Sequence, residues 1–265
     1  MNRIAETFQR LQQARQKALV GFVTAGDPDP ERSLAIIRAM CDNGVDILEL
    51  GVPFSDPTAD GPVIQRSSGR ALKSHMTLAD VLAMAARIRR LTPIPLILFS
   101  YYNPILAYGR RRFYSDAVAA GADGVLVVDL PPEESDEFTT AWAGTELALI
   151  RLIAPTTPAR RMARIAAGAS GFLYLVSKTG VTGSDGLNTS QVADNLARLR
   201  DVSDLPICVG FGISTADDVR SVARTADGVV IGSAFERLIE EHLEAPDLLE
   251  RVARQTRAYK DATRF

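Results

Sequence analysis

Short apolar runs rich in β-branched residues recur along the chain. They are Leu19–Thr24, Asp46–Leu50, Pro95–Ser100, Val125–Asp129, Ala148–Ile153, Phe172–Ser177, Pro206–Val209 and Val229–Ile231. A strand with one wet face alternates apolar and polar positions, whereas near-continuous apolar runs predict parallel strands covered on both sides. Between the runs, apolar residues fall at spacings of three and four, as on one face of a helix. Ala79–Leu91, Arg111–Ala120, Ala159–Ala167 and Ala216–Ala223 read this way. Thr77 before Asp80 and Ser214 before Asp217 have the spacing of capping boxes, in which each residue satisfies the other's free backbone N–H.

A weak internal repeat marks the passage from helix to strand: Gly121-Ala122-Asp123-Gly124-Val125, Gly168-Ala169-Ser170-Gly171-Phe172, Ala226-Asp227-Gly228-Val229 and, more loosely, Asn43-Gly44-Val45-Asp46. Glycine suits a helix end that closes through a left-handed residue. About eight β/α units in a chain of this length predict a (β/α)8 TIM barrel with extra helices, an open doubly wound sheet being the alternative. No Ser- or Pro-rich linker divides the chain, so residues 1–265 are expected to form one domain.

Composition narrows the function. Of 265 residues, 46% are hydrophobic and 23% charged, enough apolar material for a large core. Thirty Lys and Arg against 32 Asp and Glu leave a net charge of −2, which argues against nucleic acid as a partner. No apolar run reaches the about 18 residues of a membrane span, and the first residues lack the apolar stretch of a signal peptide, so a cytoplasmic protein is expected. Two cysteines, Cys41 and Cys208, give no disulfide framework. Two histidines, His75 and His242, do not make a typical zinc site, so no metal is expected.

Two connections exceed what one helix needs: Leu50 to Pro95, and the Gly-, Ser- and Thr-rich stretch Lys178–Asn188. Both follow strands, on the face where barrels carry their active sites. Glu49 lies near the end of an otherwise apolar strand, and side-chain parity groups it with Val45 and Ile47. If that face lines the barrel, burial raises its pKa and suits it to give and take a proton; otherwise it is a Glu bonded to a neighbouring loop. Asp60 follows in a loop stiffened by Pro53, Pro57 and Pro62, where Asp is equally a turn former. Asp56 is a second carboxylate for the same cavity.

Phosphate is the expected anionic handle, since barrels commonly hold it between the loops after strands seven and eight, at a helix N-terminus. Gly210-Phe211-Gly212-Ile213-Ser214 and Gly232-Ser233-Ala234 occupy those positions, with Ser233 at the start of a helix through Glu241 and Thr182-Gly183 on the loop before. Lys178 ends the sixth strand and is a Schiff-base candidate or a solvated cation. Asp129 is a third carboxylate or a turn residue before Pro131-Pro132, Cys208 reads as core, His75 as exposed, and Arg110-Arg111-Arg112 as a solvated face.

The stretch Leu48-Glu49-Leu50-Gly51-Val52-Pro53-Phe54-Ser55-Asp56-Pro57-Thr58-Ala59-Asp60-Gly61-Pro62 closely resembles the signature of the tryptophan synthase alpha subunit family. The likeness continues in family order through Tyr101-Tyr102-Asn103-Pro104, Asp129-Leu130-Pro131, Ala154-Pro155-Thr156-Thr157, Gly180-Val181-Thr182-Gly183, Gly210-Phe211-Gly212-Ile213-Ser214 and Gly232-Ser233. It departs at Thr58, where the family usually has Leu, and at Lys178, where Arg is common. The resemblance implies a (β/α)8 barrel lyase that cleaves indole-3-glycerol phosphate to indole and glyceraldehyde 3-phosphate. It implies Glu49 as general acid/base and Asp60 as the carboxylate receiving the indole N–H. By the same likeness Phe22, Tyr174 and Phe211 belong to a ring pocket, Gly183, Gly212, Gly232 and Ser233 to a phosphate site, and Thr182 to a lid meeting Asp60. It further implies an alpha2beta2 heterotetramer with a beta subunit that carries pyridoxal phosphate, this chain having no cofactor itself. Another sugar-phosphate isomerase, an aldolase using Lys178, and a non-catalytic regulatory subunit are the competing readings.

Overall fold

The computed structural model describes residues 2–140, 147–177 and 189–265. Eight parallel strands close a barrel in sequence order. They are β1 (Ala18–Thr24), β2 (Ile47–Gly51), β3 (Leu96–Ser100), β4 (Gly124–Val127), β5 (Ala148–Ile153), β6 (Leu173–Val176), β7 (Ile207–Gly210) and β8 (Gly228–Ile231). The first helices are α1 (Arg3–Gln13), α2 (Pro30–Asp42), α3 (Pro62–Lys73), α4 (Leu78–Leu91), α5 (Tyr102–Tyr108) and α6 (Arg110–Ala119). Then come α7 (Asp136–Thr140), α8 (Ala159–Ala167), α9 (Thr189–Arg200), α10 (Ala216–Ala223), α11 (Ser233–Glu241) and α12 (Leu248–Ala262). Among the described residues no helix is long and apolar enough to cross a membrane.

Apolar spacing accounts for the helix faces. In α4, Leu78, Val81, Leu82, Ala85 and Ile88 are buried, one stripe laid against the barrel, and the Thr77–Asp80 capping box starts the helix. At α10 the expected box is displaced by one residue: Thr215, not Ser214, is the cap, and its side chain accepts the Asp218 N–H. Ser214-Thr215-Ala216-Asp217-Asp218 carries the required spacing twice. The Asp218 carboxylate decides between them by accepting both the Ser214 and Thr215 N–H groups, at 3.1 and 2.9 Å.

The long connection after β2 is mostly helical. It holds α3 and α4, so the irregular parts shrink to residues 52–61 and the short joins 74–77 and 92–95. Strand ends also differ from the apolar runs, β4 stopping at Val127 and β6 at Val176, so Asp129 and Ser177 lie beyond them.

Two apolar layers result. The outer one joins strands to helices and includes Val45, Met40 and Leu48; the inner one fills the barrel with Val20, Phe22, Ile47, Ile97, Phe99, Leu126, Tyr174, Cys208 and Val230. Val45 therefore does not share the face of Ile47 and Glu49. Strand parity begins only at Ile47, and the preceding turn at Gly44, with φ +117°, rotates Val45 outward. Helix α1 plugs the lower end through Ile4 and Leu11.

The internal repeat proves to be a bonding device at that lower end. The Asp46 carboxylate accepts the Leu19 N–H at 2.9 Å, Asp123 accepts Leu96 at 2.8 Å, the Ser170 hydroxyl accepts Leu149 at 2.8 Å, and Asp227 accepts Ile207 at 3.0 Å. Each polar residue precedes an even-numbered strand and closes the start of the odd-numbered strand before it, so the barrel is built of four like pairs. The acids are further paired with cations: Asp46 with Lys260 at 2.7 Å, and Asp123 with Arg89 at 2.6 Å and Arg3 at 2.8 Å. Such features at the bottom of a barrel serve stability, which leaves the opposite rim for chemistry.

Candidate active site

At the upper rim the register sets Phe22 of β1 beside Glu49 of β2, and Glu49 beside Ile97 of β3. All three point inward. Glu49 is only 1% exposed, and neither carboxyl oxygen has a hydrogen-bond partner among the described residues. Burial among apolar neighbours penalises the charged form and pushes its pKa up to about 8. A carboxylic acid that is protonated near neutral pH, with no internal donor claiming it, is equipped to transfer a proton.

Asp60 reaches the same cavity from the loop between β2 and α3. Its carboxylate accepts the Tyr101 hydroxyl at 3.1 Å, and that hydroxyl accepts the Ala59 N–H at 2.9 Å. Burial raises Asp60 to about 6, opposed by the Tyr101 hydrogen bond. The loop is held further by the Phe54 ring packed 5.2 Å from that of Tyr101 and by the Gln65 amide donating to the Asp60 carbonyl. Asp56, expected to share this cavity, does not line it. It is exposed and accepts the Ser55 hydroxyl at 2.6 Å, because the turn closed by the Thr58 N–H on its carbonyl points it to solvent.

The cavity opens to the rim and brings together Phe22, Glu49, Asp60, Tyr174, Phe211, Gly212, Gly232 and Ser233. Its walls are aromatic. Phe22 meets Phe99 edge-on at 5.1 Å, and Tyr174 meets Phe211 edge-on at 5.9 Å. Space for one of these rings depends on a missing side chain, since a Cβ on Gly51 would stand 2.6 Å from Cζ of Phe22. At the far end Phe211 and Gly212 both adopt left-handed backbone, φ +75° and +72°. The nine-residue helix α11 starts beside them with no side chain capping its N-terminus. A helix start of this kind, with the Ser233 hydroxyl beside it, has the chemistry to seat an anion.

Thr182, Gly183 and Lys178 lie outside the described residues. Asp129 sits apart from the cavity: exposed, it accepts the Tyr102 N–H at 2.7 Å and so caps α5. Cys208 is buried inside the barrel, and His75 is exposed with φ +59°. Among the described residues no cluster of His, Cys, Asp and Glu could hold a metal ion. Phe99, Ile64 and Val230 line the cavity without having been singled out in the sequence, while Tyr101 stood only within the motif Tyr101-Tyr102-Asn103-Pro104, with no role attached. For Phe99 the signal was parity with Ile97; the part played by Tyr101 depends on where the Asp60 loop folds back.

A family model described as tryptophan synthase alpha chain matches residues 8–264. The tryptophan synthase alpha chain of Desulfosudis oleivorans is 66% identical over 265 residues, the whole of both chains. That of Desulfatibacillum aliphaticivorans is 61% identical over 264 residues, again covering both chains. Among solved structures, tryptophan synthase subunit alpha from Legionella pneumophila superposes with a TM-score of 0.91 at 41% identity, covering 99% of this chain and 98% of that one.

Proposed function

This chain belongs to the tryptophan synthase alpha chain family, and from that premise we propose that Glu49 and Asp60 carry its lyase reaction, the cleavage of indole-3-glycerol phosphate to indole and glyceraldehyde 3-phosphate. The observation that supports this most directly is the state of Glu49: buried in an apolar cavity, without a hydrogen-bond partner among the described residues, and raised to about 8. Glu49 gives its proton to C3 of the indole, and the ring nitrogen becomes positive. The Asp60 carboxylate, oriented by Tyr101, accepts the indole N–H and stabilises that charge. Glu49, now ionised, takes the proton of the glycerol hydroxyl beside the breaking bond. The carbon–carbon electron pair returns to the ring, the hydroxyl carbon becomes the aldehyde, and the acid is regenerated.

Phe22, Tyr174 and Phe211 sandwich the bicyclic ring, while Gly212, Gly232 and Ser233 hold the phosphate at the N-terminus of α11. Anchoring the far end of the substrate orients C3 toward Glu49. The partner is a beta subunit, in an alpha2beta2 heterotetramer, which receives the indole and carries the pyridoxal phosphate. This chain works in the cytoplasm, as one barrel domain without a cofactor of its own. The test is indole release by the isolated chain, repeated with a beta subunit added. Glu49→Gln is expected to bind substrate and release almost no indole; full activity in that variant would remove Glu49 from the mechanism.

A further inference from the structure

A second buried carboxyl group lies behind the anion seat. Glu236, in the first turn of α11, is fully buried, and its Oε1 accepts the Thr24 N–H at 2.6 Å. No donor among the described residues reaches its Oε2, and the side chain in hydrogen-bonding contact with it is another acid, Asp27. Asp27, 2% exposed, has both oxygens taken by Arg70 of α3, at 2.6 and 2.8 Å. Two carboxyl groups this close in a buried site cannot both be ionised, and the arginine stands against Asp27 rather than Glu236. Glu236 is therefore the one left to hold a hydrogen. Burial first, then the Asp27 charge, raise its pKa in agreement with this.

The contacts continue toward the substrate cavity. The Thr24 hydroxyl meets that of Ser67 at 2.7 Å, and Ser67 lies 2.9 Å from the carbonyl of Ile64, a residue of the cavity wall. Arg70 also reaches Glu240 of α11 at 2.8 Å, so α3 and α11 are clamped on either side of Glu236. An ionised acid at this place would set a negative charge within one turn of the N–H groups that face the anion and oppose their field.

We propose that Glu236 is a positioning residue for the phosphate end of the substrate, which, as a neutral acid, ties the first turn of α11 to Thr24 beside the Arg70–Asp27 pair while leaving the positive end of that helix to the anion. The inference rests on the phosphate seat assigned above. It is tested on the intact chain by titrating glycerol 3-phosphate into wild type, Glu236→Gln and Glu236→Leu, and by measuring KM and kcat for each.

Glutamine reproduces one acceptor and one donor without charge, so Glu236→Gln is expected to match wild type in both affinity and KM. Leucine fills the space and leaves the Thr24 N–H without its acceptor. Glu236→Leu is expected to weaken glycerol 3-phosphate binding and raise KM about fivefold, the value of one lost hydrogen bond, with kcat nearly unchanged. The infrared spectrum at pH 7 should show one protonated carboxyl band fewer in Glu236→Gln than in wild type, a reading that stands even if the leucine variant does not fold. Binding that tightens severalfold in Glu236→Gln, or no band lost, means the acid was ionised and overturns the proposal. Unchanged binding in Glu236→Leu overturns its positioning role alone. A wild type with no affinity for glycerol 3-phosphate overturns the seat itself, and the proposal with it.

Discussion

Tyr101 donates its hydroxyl hydrogen to the Asp60 carboxylate at 3.1 Å while the same oxygen accepts the Ala59 N–H at 2.9 Å. One phenol from the end of β3 thus fixes both the backbone and the acid of the loop after β2. Tyr101→Phe keeps the ring packing against Phe54 and deletes both bonds. A hydrogen bond to a charged group contributes about 1.5–3 kcal/mol, so kcat/KM is expected to fall roughly ten- to a hundredfold. Because the Tyr101 hydrogen bond lowers the Asp60 pKa, its loss should also move the acid limb of the pH–rate profile upward from about 6. A profile that keeps its acid limb in place would detach Tyr101 from Asp60.

In the proposed mechanism the two acids set opposite limits on activity. Glu49 must be protonated to begin the reaction and is raised to about 8; Asp60 must be ionised to stabilise the ring nitrogen and is raised to about 6. The product of those two fractions gives a bell in kcat/KM, rising through about pH 6 and falling through about pH 8. Steady-state rates from pH 5 to 9 measure it directly. An acid limb at the ordinary carboxylate value near 4 would mean that the Asp60 environment plays no part.

Burying Glu49 has a cost that depends on pH. Its folded pKa lies above its unfolded value of 4.5, so between about 4.5 and 8 the folded chain holds a proton that the unfolded chain has lost. Stability therefore declines across that window as pH rises, by about 5 kcal/mol at most if the whole shift is expressed. Glu49→Gln removes the titration. Its stability relative to wild type is expected to grow steadily from pH 5 to pH 8, read as the difference in urea midpoints. A pH-independent difference would show that the group is not desolvated.

Stability and chemistry should separate by barrel end. Asp123 at the lower rim is 5% exposed, accepts the Leu96 N–H and pairs with Arg89 and Arg3. Asp123→Ala leaves Arg89, itself largely buried, without its carboxylate and should cost about 3–5 kcal/mol in equilibrium unfolding. The fraction still folded should retain its KM and kcat, since the partners of the Asp123 side chain, namely Arg3, Arg89 and Leu96, do not line the cavity. A large change in kcat at conditions of full folding would argue that the lower rim is coupled to the site.

Much of this was readable in one dimension. Near-continuous apolar runs can satisfy their surroundings only as doubly covered parallel strands, and Ala159–Ala167 and Ala216–Ala223 form helices with the bounds their spacing predicts. Glu49 stood out because a carboxyl group in an apolar strand has few reasons to be there. Other residues stayed ambiguous for equally physical reasons. Asp56 and Asp60 occupy the same Pro-rich loop with the same turn chemistry, and only its path sends one outward and the other against Tyr101. Phe22 and Tyr174, inside apolar runs, look like any core aromatic.

The order of residues alone dictates the alternation of strands and helices, the number of units and the placing of polar residues at strand ends, because these follow from spacing, propensity and local hydrogen bonding. Only the closed barrel decided which of those residues face one another. Register put Phe22 beside Glu49, barrel closure stripped Glu49 of water, and packing set Glu236 against Asp27. Desolvation and charge pairing are properties of surroundings assembled from distant segments, so the acidities on which the chemistry rests exist only once the chain has folded.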